Sequence, residues 1–239
     1  MLVTTKAIVI ASLKYGEADL IVKCFTQSNG LKSYLLRNIL KSKKGRLRAS
    51  MFQVLTQLEI VANHKDKGTL ENIREAKIIN PYQHLQTQIE KTCLSLFLAE
   101  CLRNSIQEEE TDPALYTFLE TSFNFLDQAS KPANFHLLFL VKLTQFLGFY
   151  PHQPNENEPV FNLLEGIFQK TETNKYCVGG PICTLLKTLL TSKFSDISSL
   201  ELNQSKRTEF LEMLLVYYEL HLHGFRKPKS LEVLNQVFG

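Results

Sequence analysis

The hydrophobic period changes once along this chain, at Asn80-Pro81, and no other feature restricts its fold as much. Before that point apolar residues alternate. Phe52, Val54, Thr56, Leu58 and Ile60 share one face and Gln53, Leu55, Gln57 and Glu59 the other, the pattern of a half-buried strand. Residues 6–12 and 20–26 are β-rich runs, and residues 31–37 return after Ser28-Asn29-Gly30. Asn-Gly accepts the positive φ of a tight hairpin, so a turn belongs there. His64-Lys65-Asp66-Lys67-Gly68 is a second polar turn, and residues 69–79 form a last strand or a strand leading into a helix. About five short strands in this space suit a small closed barrel.

After Pro81 the period becomes about 3.6. Cys93, Leu94, Phe97, Leu98, Cys101, Leu102 and Ile106 make one helical stripe. Thr111-Asp112-Pro113 opens the next helix, with a capping side chain and then a proline in the first turn. Its predicted buried side is Leu115, Phe118, Leu119, Ser122 and Leu126. Residues 135–147 are apolar nearly all round, which predicts a central helix ended by Gly148. A proline-broken loop over residues 151–160 follows. Helices are predicted over 161–168 and 182–190 with a loop at 171–180 between them, and over 207–222 with Phe210, Leu211, Leu214, Leu215, Tyr218 and Leu222 inward. The expected class is α+β: a barrel over residues 1–80, then an all-α helical domain over residues 81–239.

Charge divides at the same place. The net charge of +3 hides 14 Lys/Arg against 6 Asp/Glu in residues 1–80, or +8, and 13 against 18 in residues 81–239, or −5. A basic front end points to a polyanion: nucleic acid, with an anionic membrane as the alternative. The first apolar run, residues 7–13, is short and lacks a cleavage site, so no signal peptide is expected. No stretch approaches the ~18 apolar residues of a spanning helix. The 5 cysteines, Cys24, Cys93, Cys101, Cys177 and Cys183, are an odd number, which fits free thiols in a reducing cytoplasm.

The strongest local feature is residues 37–48, where 6 of 12 residues are basic and none is acidic: Arg37, Lys41, Lys43, Lys44, Arg46 and Arg48. Between two strand runs such a segment is displayed as a loop. It is either a solvated charged loop or an arm that contacts phosphates and releases counterions on binding. Tyr34 and Phe52 flank it, as stacking platforms for bases or as barrel core. Lys65 and Lys67 in the other polar turn add to the same surface if the barrel forms. In the tail, Arg226, Lys227 and Lys229 offer further basic contacts, or complement the dipole of the preceding helix.

Motifs of catalysis are missing. There is no phosphate-binding Gly-x4-Gly-Lys, no His-Glu-x-x-His, no Gly-x-Ser-x-Gly and no dinucleotide fingerprint. Glu75-x-Lys77 is at most half of a nuclease-type metal site, and His221 and His223 point different ways on a helix. Cys177 and Cys183 lack the paired spacing of structural zinc.

Three stretches resemble the bacterial RecO family of recombination mediators. The opening carries Ala7-Ile8-Val9-Ile10, Gly16-Glu17-Ala18-Asp19-Leu20-Ile21-Val22, Phe25-Thr26, Gly30 and the Lys41-Ser42-Lys43 arm. The middle carries Phe146-Leu147-Gly148-Phe149-Tyr150-Pro151, and the close carries Gly224-Phe225-Arg226-Lys227-Pro228-Lys229-Ser230. The likeness covers nearly the whole chain in the right order. It implies an OB-fold followed by a helical domain, no catalysis, and a cytoplasmic, nucleoid-associated protein. It implies binding to single- and double-stranded DNA, annealing of complementary strands, and work with RecR, SSB and RecA to load the recombinase onto SSB-coated single strands. DNA contact is carried onto the arm. Two departures stand out. Many members hold zinc with four cysteines after the helix that ends here at Gly148. This chain has only Cys183 at such a position, so a zinc-less, degenerate finger region is expected at about 150–185 and no cofactor. Asn38 stands near the start of the arm where the family often has glycine. The competing readings are a metal-dependent nucleic-acid enzyme and an adaptor for an acidic protein tail.

Overall fold

The computed structural model describes residues 1–41, 46–65, 70–106, 110–155 and 157–238, and the chain forms two compact units, Met1–Gln128 and Ala129–Gly239. The first begins with five strands: β1 (Leu2–Tyr15), β2 (Asp19–Thr26), β3 (Gly30–Leu36), β4 (Gln57–Asn63) and β5 (Asn72–Ile78). They pair antiparallel in the order β3-β2-β1-β4-β5. β1 is long enough to serve two neighbours, pairing through Leu2 to Ile8 with β4 and through Ala7 to Tyr15 with β2. A register shift between Val9 and Ala11 is a bulge, which bends the strand between its two partners. The sheet then meets itself. Glu71 N–H donates to Ser33 O at 2.8 Å, Leu35 N–H donates to Glu71 O at 2.9 Å, and Tyr34 and Glu71 form a parallel bridge. A five-stranded sheet in this order, joined between its end strands, is the OB type of barrel.

Val9, Val22, Tyr34, Phe52, Leu58 and Ile60 fill its interior. The outer side of β1 is buried as well, at Ile8 and Ile10. There α1 (Ile89–Ser105) packs on β1, and Tyr116 of α2 (Pro113–Gln128) stacks on Phe25 with ring centroids 6.5 Å apart. Asp112 caps α2 as expected, its Oδ1 accepting from Leu115 N–H at 2.8 Å. Within that helix Phe118 is only half-buried, and Tyr116 and Phe123 fill the core instead. The Asp127 carboxylate accepts from the N–H groups of Gln83 (3.0 Å), His84 (2.8 Å) and Leu85 (2.7 Å), fixing the chain between β5 and α1 to the end of α2.

The run that reads as the clearest strand is only partly one. Residues Ala49–Phe52 form a 3-10 turn, and β4 starts at Gln57. Between them Leu55 takes φ +64°, a left-handed conformation rare for a branched side chain. Its N–H donates to Val9 O at 2.7 Å and its carbonyl accepts from Tyr82 OH at 2.8 Å. Tertiary partners thus hold a bend that alternation alone does not reveal.

In the second unit α3 (Phe135–Phe146), α4 (Gly180–Thr191), α5 (Gln204–His221) and α6 (Leu231–Val237) carry the core. The helix predicted over 161–168 is instead a hairpin. β6 (Val160–Asn162) pairs with β7 (Ile167–Gln169) and with β8 (Cys177–Val178). Phe161 and Phe168 lie seven residues apart, which imitates two helical turns. They meet across the hairpin instead, centroids 4.8 Å apart, because Gly166 turns the chain at φ +68°. The class remains α+β, with this small sheet among the helices.

Candidate nucleic-acid interface

The basic arm begins where β3 runs out, and its first residues are clamped onto the β1–β2 turn. Asn38 takes φ +56°, a left-handed conformation that asparagine tolerates better than most residues. Its N–H donates to Asp19 Oδ1 at 2.7 Å, and Leu40 N–H donates to Ala18 O at 2.9 Å. Lys41 Nζ lies 3.1 Å from Glu17 Oε2. At the arm's far end Arg46 Nη1 lies 3.2 Å from Glu75 Oε1 of β5, and Leu47 packs against the barrel core. Arg37, Lys41, Arg46 and Arg48 are all exposed.

The loop between β4 and β5 faces the arm. Lys65 is exposed, while its N–H donates to both carboxylate oxygens of buried Glu71, at 2.9 and 3.0 Å. A cleft of about 500 Å3 opens between the two loops at the seam where the sheet closes, lined by Arg37, Ile39, Leu47, Lys65, Leu70 and Ile73 among others. Both ends of the arm and both ends of the β4–β5 loop therefore border one cavity. Lys43, Lys44 and Lys67 lie outside the described residues.

The two ion pairs do not lock the arm. Side-chain exposure is 64% and 90% for Lys41 and Glu17, and 86% and 60% for Arg46 and Glu75. Pairs this exposed contribute about 0–1 kcal/mol and are screened by salt, so a phosphate can take the carboxylate's place. The pairing also engages Glu75 with a cation. Among the described residues no group of three or more His, Cys, Asp or Glu is arranged to hold a metal ion.

Of the two readings of Tyr34 and Phe52, stacking platform or barrel core, the structure takes the core and the stacking role falls. Their rings are 0% and 1% exposed, inside the barrel. Tyr34 OH lies 2.9 Å from His64 Nε2, and burial pushes its phenol far above the usual range. Neither ring presents a face to a base. The exposed ring on this side of the barrel is Tyr15, 55% exposed at the end of β1, with Leu13 at 54%. Alternation continued from Ala7 and Val9 would put both inside; the bulge between Val9 and Ala11 turns them outward, and no period in the sequence announces it. Arg226, Lys227 and Lys229 are exposed in the second unit after α5, with Lys227 Nζ 3.8 Å from Glu219 Oε2.

The finger region does not fit zinc. Cys183 is 1% exposed on α4, and burial raises its thiol pKa. Cys177 on β8 is bound within its own loop: its sulfur accepts from Thr173 N–H and Gln169 Nε2, each at 3.4 Å. Buried Asn162 joins them through Gln169 Oε1 at 3.3 Å and Thr173 Oγ1 at 3.4 Å. Side-chain amides and hydroxyls therefore tie this lobe together. Among the described residues no helix is long and apolar enough to cross a membrane.

Comparison with known proteins finds two family matches that together span most of the chain. Residues 1–82 match the family described as Recombination protein O N terminal, and residues 86–232 match Recombination protein O C terminal. A DNA repair protein RecO from Christiangramia forsetii is 56% identical over 239 residues, all of both chains. Proteins of the same name from Flavobacterium psychrophilum and Bacteroides fragilis are 44% and 32% identical, again over the full length of each.

Proposed function

Since the chain belongs to the RecO family of DNA repair proteins, we propose that it is a DNA-binding, strand-annealing mediator of recombinational repair. The observation that carries this reading is the placement of Arg37, Lys41, Arg46, Arg48 and Lys65 on two loops that face each other across one barrel cleft. Lys43, Lys44 and Lys67 extend the same two loops in sequence. Cations held on a rigid barrel neutralise phosphates and release counterions. Two strands whose phosphates are neutralised approach without their mutual repulsion, so complementary bases can find each other. No bond is made or broken in such a step, and no nucleotide is consumed.

In this proposal the protein works in the cytoplasm, at the nucleoid, with RecR and the single-strand-binding protein SSB, to help RecA load onto coated strands. It acts on single- and double-stranded DNA and needs no zinc. The test reverses charge on both loops, as Lys41→Glu, Arg46→Glu, Arg48→Glu and Lys65→Glu in one chain, and measures single-strand affinity across salt. Affinity should fall, and the slope of log K against log salt should shrink by roughly 0.7 for each phosphate no longer neutralised. An unchanged affinity with an unchanged slope overturns the role of these loops. Annealing of complementary strands, bare and SSB-coated, should fall in parallel.

A further inference from the structure

We propose that the outer face of β1, β2 and β3 beside the basic arm is a stacking platform for the bases of single-stranded nucleic acid, with Tyr15 as the ring that stacks. This rests on the DNA-binding reading above and adds a strand preference to it. The register sets Leu13 opposite Ile21 and Ile21 opposite Leu35, so an apolar row crosses three strands. Tyr15 lies next along β1, opposite Asp19. These side chains point outward because Leu20, Val22, Tyr34 and Leu36 of the same strands fill the interior. Leu13 and Tyr15 are more than half exposed, and Ile21 and Leu35 are half-buried. Elsewhere on the outer surface, Ile8, Ile10 and Phe25 are buried. The row is therefore the stretch of this face left open to solvent.

Its surroundings select the occupant. Leu35 also lines the cleft, so the apolar row runs into a cavity bordered by Arg37 and Lys65. Asp19, beside Tyr15, is turned to the arm by its bond to Asn38 N–H. The exposed carboxylate nearest Tyr15 on the β1–β2 turn, Glu17, is engaged by Lys41 at 3.1 Å. An apolar, aromatic strip that leads to cations at one end matches a chain with flat apolar faces on one side and anions on the other. Single-stranded nucleic acid has that form, and base–aromatic stacking on such a strip tolerates any sequence. A duplex keeps its base faces stacked inside and meets only the cations. Tyr15 therefore favours single strands, while the arm binds both forms.

The test uses the full-length chain with Tyr15→Ala and Tyr15→Phe. Anisotropy reports binding to oligo-dT, to an abasic strand of equal length and to a duplex, at several salt concentrations. Tyr15→Ala should bind oligo-dT roughly 5- to 100-fold more weakly, with an unchanged salt slope because every phosphate-binding cation is still in place. Duplex binding should stay within about twofold, and Tyr15→Phe should match the wild type. The abasic strand should bind wild type and Tyr15→Ala equally, a result that mere structural damage does not produce. Equal loss on oligo-dT and duplex overturns the proposal, as does no loss on either. So does a change in oligomeric mass with DNA affinity intact, which identifies the face as a contact between copies. If the wild type itself binds DNA without salt dependence, the reading of the arm fails. If it binds with salt dependence and Tyr15→Ala is silent, only the stacking role fails.

Discussion

His136 is fully buried on α3, and burial, with the nearby Arg207 cation, lowers its pKa from 6.5 to about 3. The imidazole is thus neutral in the folded chain at pH values where the unfolded chain protonates it. Below pH 6.5 the unfolded state binds more protons, so stability falls on acidification, by up to about 1.4 kcal/mol per pH unit, until the folded pKa is reached. Above 6.5 this contribution is fully present. Urea unfolding midpoints should therefore drop between pH 7 and pH 5, and His136→Gln should flatten that decline. A variant with the wild-type decline would place the proton uptake elsewhere. Arg207 is in turn fixed by Asn134 Oδ1 at 3.0 Å, Leu202 O at 3.1 Å and Phe238 O at 3.1 Å, so its charge is held near the ring.

Elements were legible in unequal measure. The helices showed their stripes because a helix that packs one side against a core must repeat apolar residues at its own period, as α2 and α5 do. The hairpin of β6 and β7 did not, since two phenylalanines seven apart fit a helix equally well until Gly166 turns the chain. The Leu55 bend stayed hidden for a similar reason: its partners, Val9 and Tyr82, are distant in sequence. The hairpin and its loop also bear a prediction. Hydrogen bonds among Asn162, Gln169, Thr173 and Cys177 join the hairpin to the loop that follows it. Treatment with EDTA should leave the melting temperature within about 1 °C, whereas a structural zinc contributes enough folding energy for chelation to unfold its lobe. A large drop on chelation would show that metal supports the region.

Across the whole molecule, the switch of period at Asn80 marks where the sheet ends, while the first compact unit runs on to Gln128. The reason is physical. The barrel buries apolar side chains on its outer side too, at Ile8, Ile10 and Phe25, with α1 packed on β1 and Tyr116 of α2 stacked on Phe25. A fragment of residues 1–128 should unfold cooperatively and keep salt-dependent DNA binding. A fragment of residues 1–82 exposes that face and should aggregate or melt without a sharp transition. Calorimetry of the two pieces decides it, and a well-folded shorter piece would show that the helices are dispensable.

The chain's own order of residues determined the change of period at Asn80, the main helices, the charge division and the arm, because period and charge are local properties that any fold must respect. Which aromatic ring faces outward was settled only in three dimensions. Tyr34 and Tyr15 both lie on strands of one sheet, and the closure of that sheet on itself puts one inside and leaves the other at the surface. The same closure sets the arm opposite the β4–β5 loop, since loops far apart in the chain meet only when the barrel's end strands do.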